Sequence, residues 1–185
     1  EGISAYELNI SCPNVNRGGL CPALDSEATY SIVKLVKKAS SRPVITKLSP
    51  NVTDIKEIAQ SAQEAGSDGI SLVNTFLAMA IDIDNRKPKL ANTLGGLSGP
   101  AIKPIALRMV YQVASHVTIP VIGMGGISSG EDVLEYLIAG AKAVEIGTAN
   151  FIDPTATLKI IEDLKNYCKE KGIEKLEDVV GTLSL

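Results

Sequence analysis

Short runs of β-branched and apolar residues alternate along the chain with longer segments of helical period. The runs lie at 5–10, 44–48, 69–73, 119–123 and 143–147, and their length is typical of buried strands. Because strands and helices alternate strictly, the pattern predicts a parallel sheet covered by helices. It indicates five successive βα units and leaves two folds open, a (β/α)₈ barrel or an open doubly wound sheet.

Start and stop signals delimit most of the helices. Residues that favour helix N-termini precede them: Ser26 before 27–40, Thr53-Asp54 before 55–65, Ser129 with Asp132 three residues on, and Asp153-Pro154 before the last long helix. Gly66 and Gly140 stand where C-terminal caps are expected. Each of these glycines ends a segment that begins Pro-Val-Ile, at Pro43 and at Pro120. This internal echo predicts two βα units built on one plan.

The predicted strands all end in residues that a buried apolar strand disfavours: Asn9, Lys47, Asn74, Gly123 through Gly126, and Gly147-Thr148. Asn is depleted in strands, and Lys is almost never buried without a partner. A turn or a lysine reaching to the surface would explain any one position. The C-terminal strand ends of a barrel converge on its active site, so the five positions together favour a barrel with a bound ligand.

Two glycine sites indicate a phosphate group on that ligand. Gly125-Gly126 precedes the helix start at Ser129, and Gly147-Thr148 precedes Asp153, so both sites can turn backbone N–H groups toward an anion. Either pair alone could be a tight turn. Barrel phosphate sites follow strands seven and eight, which makes the first run strand four. We therefore interpret residues 1–185 as the C-terminal part of a single (β/α)₈ TIM-barrel domain, with three βα units before it.

Composition and charge exclude several function classes. A length of 185 residues with 45% hydrophobic content suits one globular unit, and a net charge of −3 without a basic run gives no reason to expect nucleic acid or membrane as a partner. No apolar run approaches the roughly 20 residues of a membrane span. Three cysteines without a CxxC pair suit reduced thiols and a cytoplasmic location. No metal site is predicted, because His116 is best explained as a helix cap and Asp82 and Asp84 as a solvated loop.

Seven sequence blocks carry a family resemblance. In order and spacing they resemble the catalytic subunits of dihydroorotate dehydrogenases: Asn9 to Asn14 (NISCPN), Lys47 to Asp54 (KLSPNVTD), Val73-Asn74-Thr75, Arg86 to Asn92 (RKPKLAN), Gly95 to Pro104 (GGLSGPAIKP), Gly123 to Ile127 (GMGGI) and Ile146 to Asn150 (IGTAN). Cys12 in the first block is typical of the soluble class. The blocks at 86–92 and 97–104 resemble the NAD-linked heterotetrameric subgroup more than the fumarate-linked homodimers.

The resemblance implies a reaction and its partners. The reaction is oxidation of dihydroorotate to orotate with FMN as hydride acceptor, in de novo pyrimidine biosynthesis. Electrons would pass to NAD through a partner subunit that carries FAD and an iron–sulfur cluster. The implied assembly is a homodimer of catalytic subunits joined by that electron-transfer subunit.

The resemblance also implies residue roles. Cys12 is the catalytic base, and the FMN contacts are Asn9, Lys47, Val73, Gly99, Gly125, Gly126, Gly147 and Thr148. The substrate contacts are Asn9, Asn14, Asn74 and Thr75. Because a free thiol has a pKa near 8.5, we expect activity to rise with pH unless neighbouring groups lower that value.

Departures from the family pattern and three alternatives accompany this interpretation. The loop at 20–24 lacks the Phe-Gly pair common in the family, and the 185-residue chain alone is expected to be inactive. A dihydropyrimidine dehydrogenase FMN domain is disfavoured by Asn14 and by the block at 86–92. A non-redox phosphate-binding lyase or isomerase could use Lys47 as its reactive group. A non-catalytic interaction module would not require the intact Cys12 motif.

Overall fold

Five parallel strands form the main sheet in a computed structural model that describes residues 2–11 and 22–185. They are β1 (Tyr6–Asn9), β2 (Val44–Lys47), β3 (Gly69–Leu72), β8 (Val121–Met124) and β9 (Ala143–Glu145), and they lie side by side in chain order. Asn9 pairs in register with Lys47, and Leu72 with Gly123. The predicted parallel sheet of five βα units is confirmed, and the strand ends share one edge.

The sheet is strongly curved. Glu7 on β1 and Glu145 on β9 belong to its two outermost strands, yet their carboxyl groups lie within hydrogen-bonding reach of each other. In a flat sheet, four strand spacings would hold those strands roughly 19 Å apart. The curvature is that of a barrel wall, and Glu7 and Glu145 lie on its inner face.

Helices cover the outer face of the sheet. They are α1 (Ser26–Ala39), α2 (Ile55–Glu64), α3 (Lys103–Ala114), α4 (Gly130–Ile138), α5 (Ala149–Ile152) and α6 (Ala156–Lys171), with 3₁₀ turns at Pro22–Leu24, Pro100–Ile102 and Leu176–Val179. The predicted starts near 55 and 129 are confirmed, with Asp54 as one N-cap and Ser129 and Asp132 as a reciprocal capping box. Within the described residues, no helix is both long and apolar enough to cross a membrane.

Two helix ends differ from the sequence prediction. The N-cap of α1 is Asp25 rather than Ser26, and its carboxylate accepts a hydrogen bond from Ala28 N at 2.7 Å. Asp fits this position because its anion also faces the positive end of the helix dipole. At the end of α3 the C-cap is Ser115, not His116, whose backbone N–H donates to the Val113 carbonyl instead.

An antiparallel arm interrupts the alternation after β3. It consists of two hairpins, β4 (Phe76–Met79) with β7 (Leu94–Leu97) and β5 (Ile81–Asp82) with β6 (Lys87–Pro88). Asp82, predicted to lie in a solvated loop with Asp84, is instead the last residue of β5, and Asp84 lies in the turn that follows. The Asp82 carboxylate accepts bonds from the Asn85 amide and from two backbone N–H groups of that turn. The arm therefore extends from the same strand ends that form the site.

The core lies between the sheet and helices α2, α3 and α4. Ile70 and Leu72 of β3 are fully buried, as are Val110 of α3 and Tyr136 of α4. Gly123 makes this packing possible, because a Cβ there would lie 2.4 Å from a ring carbon of Tyr136. The core thus holds the loop after β8 at a fixed distance from the sheet.

A candidate cofactor site at the strand ends

A cavity of about 450 Å³ opens at the C-terminal ends of the strands. That volume lies within the range of about 300–1,000 Å³ typical of ligand sites. Nine residues predicted from the sequence line it: Lys47, Val73, Asn74, Thr75, Gly99, Gly125, Gly126, Gly147 and Thr148. The fold therefore brings together the end of β2 and the segments that follow β3, β7, β8 and β9, with residues up to 101 positions apart.

Asn9 and Asn74 are joined through Ser11. The Asn74 amide nitrogen donates to Ser11 Oγ at 2.8 Å and to the Ser11 carbonyl at 3.1 Å, while Ser11 Oγ donates to the Asn9 amide oxygen at 3.1 Å. Ser11 itself is buried. Asn9 does not line the cavity but lies next to Lys47 in the sheet. The network fixes the backbone immediately before residue 12.

The predicted residues Cys12 and Asn14 lie outside the described residues, as do residues 20 and 21 of the divergent loop. Residues 22–24 of that loop form a 3₁₀ turn in which Ala23 is fully buried. The roles of Cys12 and Asn14 therefore remain predictions from the sequence.

Asn51 is a further polar residue at this edge, and the sequence interpretation gave it no role. Its amide nitrogen donates to the Thr75 carbonyl at 3.1 Å, and its amide oxygen accepts from Leu77 N at 2.9 Å. These two bonds tie the loop after β2 to the first strand of the arm. In the sequence, Asn51 stands out only as a member of the KLSPNVTD block. Its bond to Thr75 is not visible there, because the two residues are 24 positions apart.

The loop after β8 is tightly shaped around two glycines. Gly125 and Gly126 have φ values of +130° and +73°, which L-residues with side chains rarely adopt. A Cβ on Gly126 would also lie 2.8 Å from the backbone nitrogen of Lys103 and 2.9 Å from the Gly99 carbonyl. The Tyr136 hydroxyl donates to the Gly125 carbonyl at 2.7 Å. Backbone therefore approaches the cavity closely at this point.

Asp132 anchors the next residues of the same loop. One carboxylate oxygen accepts from Ser128 N at 2.7 Å, Ser128 Oγ at 2.9 Å and Ser129 N at 3.0 Å, and the other receives Lys103 Nζ at 2.6 Å. Burial opposes ionisation of Asp132, but these donors outweigh it and lower the pKa of its carboxyl.

A capping box lies beside the predicted anion site at Gly125 and Gly126. The Ser129 N–H donates to the Asp132 carboxylate and the Asp132 N–H donates to Ser129 Oγ, and Asp132 places a negative charge at that helix end. This helix end is therefore partly capped and already carries one carboxylate.

The second glycine site is open. A Cβ on Gly147 would meet no atom within 4 Å. The adjacent Thr148 hydroxyl donates to Ser98 Oγ at 2.8 Å, which links the loop after β9 to the end of β7 beside Gly99. Gly147 leaves room for a ligand where any larger residue would occupy the cavity.

A charged group lies on the inner face of the sheet below the cavity. Glu7 Oε1 accepts from Ser71 Oγ at 2.5 Å, and Glu7 Oε2 lies 3.7 Å from Lys47 Nζ. Burial, followed by the charge of Glu7, raises the pKa of Glu145 to about 7, while Lys47 acts in the opposite direction. Glu145 lines the cavity together with Lys47, and the sequence interpretation assigned it no role.

Comparisons with known proteins agree on one family. Residues 2–168 match the family model described as dihydroorotate dehydrogenase. The catalytic subunit of dihydroorotate dehydrogenase B (NAD(+)) from Alkaliphilus metalliredigens is 55% identical over 181 residues, covering 98% of this chain and 60% of that protein. The corresponding subunit from Desulforamulus reducens is 54% identical, covering 100% and 61%.

A solved structure supports the fold. The crystal structure of DHODH from Eimeria tenella in complex with ferulenol superposes with a TM-score of 0.80, at 23% identity, over 97% of this chain and 54% of that one. The fold class predicted from the sequence, the C-terminal five βα units of a (β/α)₈ barrel, is confirmed. The chain spans about 60% of the length of the curated relatives that it matches.

Proposed function

We propose that this chain, which belongs to the dihydroorotate dehydrogenase family, forms the C-terminal part of a single FMN-binding barrel domain that oxidises dihydroorotate to orotate in pyrimidine biosynthesis. The observation that carries the proposal is the convergence of Lys47, the Asn74 amide and the two glycine sites on one cavity. Lys47 supplies a cation, the Asn74 amide supplies a hydrogen-bond donor and acceptor, and the glycine sites allow a ligand to come close to the backbone. A flavin and a pyrimidine need all three.

The residues present fit FMN. Gly147 leaves open space at the cavity wall, and Gly125 and Gly126 turn backbone toward it, as a phosphate and its ribityl chain would need. Val73 and Gly99 line the same cavity. When bound, FMN would supply hydride acceptance at its ring. Lys47 would place its ammonium against the ring edge that carries the carbonyl oxygens.

The proposed substrate contacts follow from the amide groups. Asn74 presents an amide whose oxygen accepts from Thr75 N at 2.8 Å and whose nitrogen is held by Ser11, so its plane is fixed. Fixed amides match the alternating N–H and C=O groups of a pyrimidine ring. Asn9, Asn14 and Thr75 complete the proposed set. Asn51 supports it by holding the Thr75 carbonyl.

Cys12 is the proposed base that removes the substrate proton. Residue 12 follows Ser11 directly, and Ser11 is buried and bonded to two asparagines at the cavity edge. Thiolate formation at Cys12 would then limit the proton transfer.

The proposed electron acceptor is NAD, reached through a separate subunit that carries FAD and an iron–sulfur cluster. Support comes from the relatives, whose names specify NAD(+) and a catalytic subunit. We further propose a homodimer of catalytic subunits joined by that partner, and a cytoplasmic location. Mixing the reduced protein with NAD alone and then with the partner subunit tests the acceptor, since only the second mixture should reoxidise FMN.

The test of Cys12 is anaerobic mixing of dihydroorotate with the FMN-loaded full-length protein. Flavin absorbance should bleach rapidly in the wild type and at least about 100-fold more slowly in Cys12→Ala, because general bases contribute about 10²–10⁴ in rate. Cys168→Ala is the matched control, since Cys168 is a free thiol in the last turn of α6 and does not line the cavity. Equal bleaching in wild type and Cys12→Ala would remove the base assignment.

The same preparation discriminates the alternatives. A protein that purifies without flavin but acts on a phosphorylated substrate would favour the non-redox lyase or isomerase. Uracil and orotate can be compared as oxidants of the reduced flavin. Faster reoxidation by uracil would favour the dihydropyrimidine dehydrogenase interpretation. The 185-residue chain alone should show no turnover, because its relatives need a polypeptide about two-thirds longer to complete the barrel.

A further inference from the structure

We infer that Glu7 and Glu145 hold one shared proton on the inner face of the barrel wall and act together as positioning residues for Lys47. The inference deepens the proposed function, on which the placement of Lys47 beside the flavin rests. It concerns side chains for which neither the motifs nor the relatives indicate a role.

Strand geometry brings the pair together. Glu7 is on β1 and Glu145 on β9, the first and last strands of the five-stranded sheet, and the curvature of the wall closes the distance between them. Two carboxylates within hydrogen-bonding reach cannot both ionise readily, because each disfavours the charge of the other. One proton is therefore retained between them near neutral pH.

The hydrogen bonds indicate which carboxyl group holds the proton. Glu7 accepts from Ser71 Oγ at 2.5 Å and lies 3.7 Å from Lys47 Nζ, so both of its oxygens face donors or a cation. Both oxygens of Glu7 therefore already act as acceptors or face a cation, which makes Glu7 the acceptor of the pair. Glu145 is half-buried and has a pKa of about 7, raised by burial and by Glu7. The proton belongs mainly to Glu145, whose O–H donates to Glu7.

Within residues 2–11 and 22–185, few other charges face this group. β2 contributes Lys47, β3 contributes the neutral Ser71, and the β8 sequence Val-Ile-Gly-Met contributes no charged side chain. Across the cavity, Asp153 is already paired with Lys159 at 2.6 Å, and Asp163 lines the same cavity from α6. The charge beside Lys47 is therefore set chiefly by whether Glu145 is protonated.

The pair has two states with different consequences for Lys47. With one proton the pair carries a single negative charge, which the Lys47 ammonium balances. Without the proton, Glu7, Glu145 and Lys47 together carry a net negative charge. Lys47 is then drawn toward the two carboxylates and away from the cavity. Negative charge added in the cavity would favour the state in which the pair holds one proton. Such an addition would therefore be accompanied by uptake of a proton from solvent onto Glu145.

Titration of the side-chain carboxyl carbons by ¹³C NMR, in the full-length protein without FMN, tests the shared proton. In the wild type, the Glu145 signal should titrate near pH 7. In Glu7→Gln, which removes the neighbouring charge but keeps the shape, its midpoint should fall toward the ordinary range.

Glu131→Gln is the matched control, because Glu131 is an exposed carboxyl in the first turn of α4. It should leave the Glu145 titration unchanged. A Glu145 signal that titrates in the ordinary range, or one that is unaffected by Glu7→Gln, would overturn the inference.

The midpoint potential of bound FMN tests the action on Lys47. Plotted against pH, the wild-type potential should steepen around pH 7, and the additional slope should be absent in Glu145→Gln. An identical slope in both proteins would overturn the positioning role. A protein that does not bind FMN at all would instead contradict the proposed function, while the carboxyl titration would still decide whether the proton is shared.

Discussion

Individual glycines divide the site into a part that cannot accept a side chain and a part that can. Gly123 faces the Tyr136 ring, so a Cβ there would lie 2.4 Å from a ring carbon in the core. Gly147 faces open space in the cavity. The same substitution at the two positions should therefore separate folding from ligand binding.

We expect Gly123→Ala to lower the free energy of unfolding by about 1–3 kcal/mol through overpacking, and Gly147→Ala to leave it nearly unchanged. Conversely, Gly147→Ala should weaken FMN binding severalfold, because its methyl group occupies ligand space. Urea denaturation of the apoprotein and fluorescence titration with FMN measure the two effects. Equal destabilisation by both substitutions would contradict the assigned packing.

Sequence reasoning identified most of the cavity residues but few of their partners. Lys47, Asn74 and the glycines break the local pattern of a buried strand, so they are visible one at a time. Ser11, Asn51 and Glu145 are ordinary in their local context. Ser11 acts on Asn74 across 63 positions, and such pairings depend on the curvature of the sheet.

At the scale of elements, the α1 start provides a direct test of the corrected N-cap. Asp25 accepts from Ala28 N at 2.7 Å, whereas the Ser26 hydroxyl is directed to Glu57 on α2 at 2.8 Å. Asp25→Ala should cost about 1 kcal/mol of unfolding free energy, as loss of an N-cap typically does. Ser26→Ala should cost less, because only an exposed hydrogen bond is lost. Urea denaturation of the two variants checks the order, and a reversed order would restore Ser26 as the cap.

The βα units were predictable because their strands are continuous apolar runs and their helices carry caps. The arm was not predictable, since its strands are two to four residues long and contain Pro88, Gly95 and Gly96. Such segments have no clear period and contain residues that usually interrupt strands. Gly96 is needed there because a Cβ would lie 2.2 Å from Thr75 Oγ1, a contact between arm and site that only the structure reveals.

At the scale of the whole molecule, the shifted pKa values predict an acidic optimum of stability. Hydrogen bonds from Lys37 and Val44 N lower the pKa of Asp68, and a hydrogen bond from Lys159 lowers that of Asp153 to about 2. These carboxylates favour the folded state above their unfolded pKa values. Their contribution is therefore lost as the pH falls below about 4.

Glu145 acts in the opposite direction. Its pKa is raised from 4.5 to about 7, so the folded state binds this proton more tightly than the unfolded state. Unfolding free energy should therefore fall as the pH rises between those values and should then level off. Stability should be greatest near about pH 5, and Glu145→Gln should remove the fall toward pH 7. Urea denaturation at several pH values measures this, and an unchanged profile in the variant would exclude Glu145 as the source.

The close packing of Gly123 against the Tyr136 ring limits the substitutions that this sequence can accumulate during evolution. The ring leaves no space for a Cβ at Gly123, and the hydroxyl of the same ring holds the Gly125 carbonyl beside the cavity. A lineage could replace Gly123 only after giving up the ring, and it would thereby release the loop at the proposed cofactor site. Because a change at either position alone would disturb the core packing or the loop, we expect descendants to inherit the two residues together.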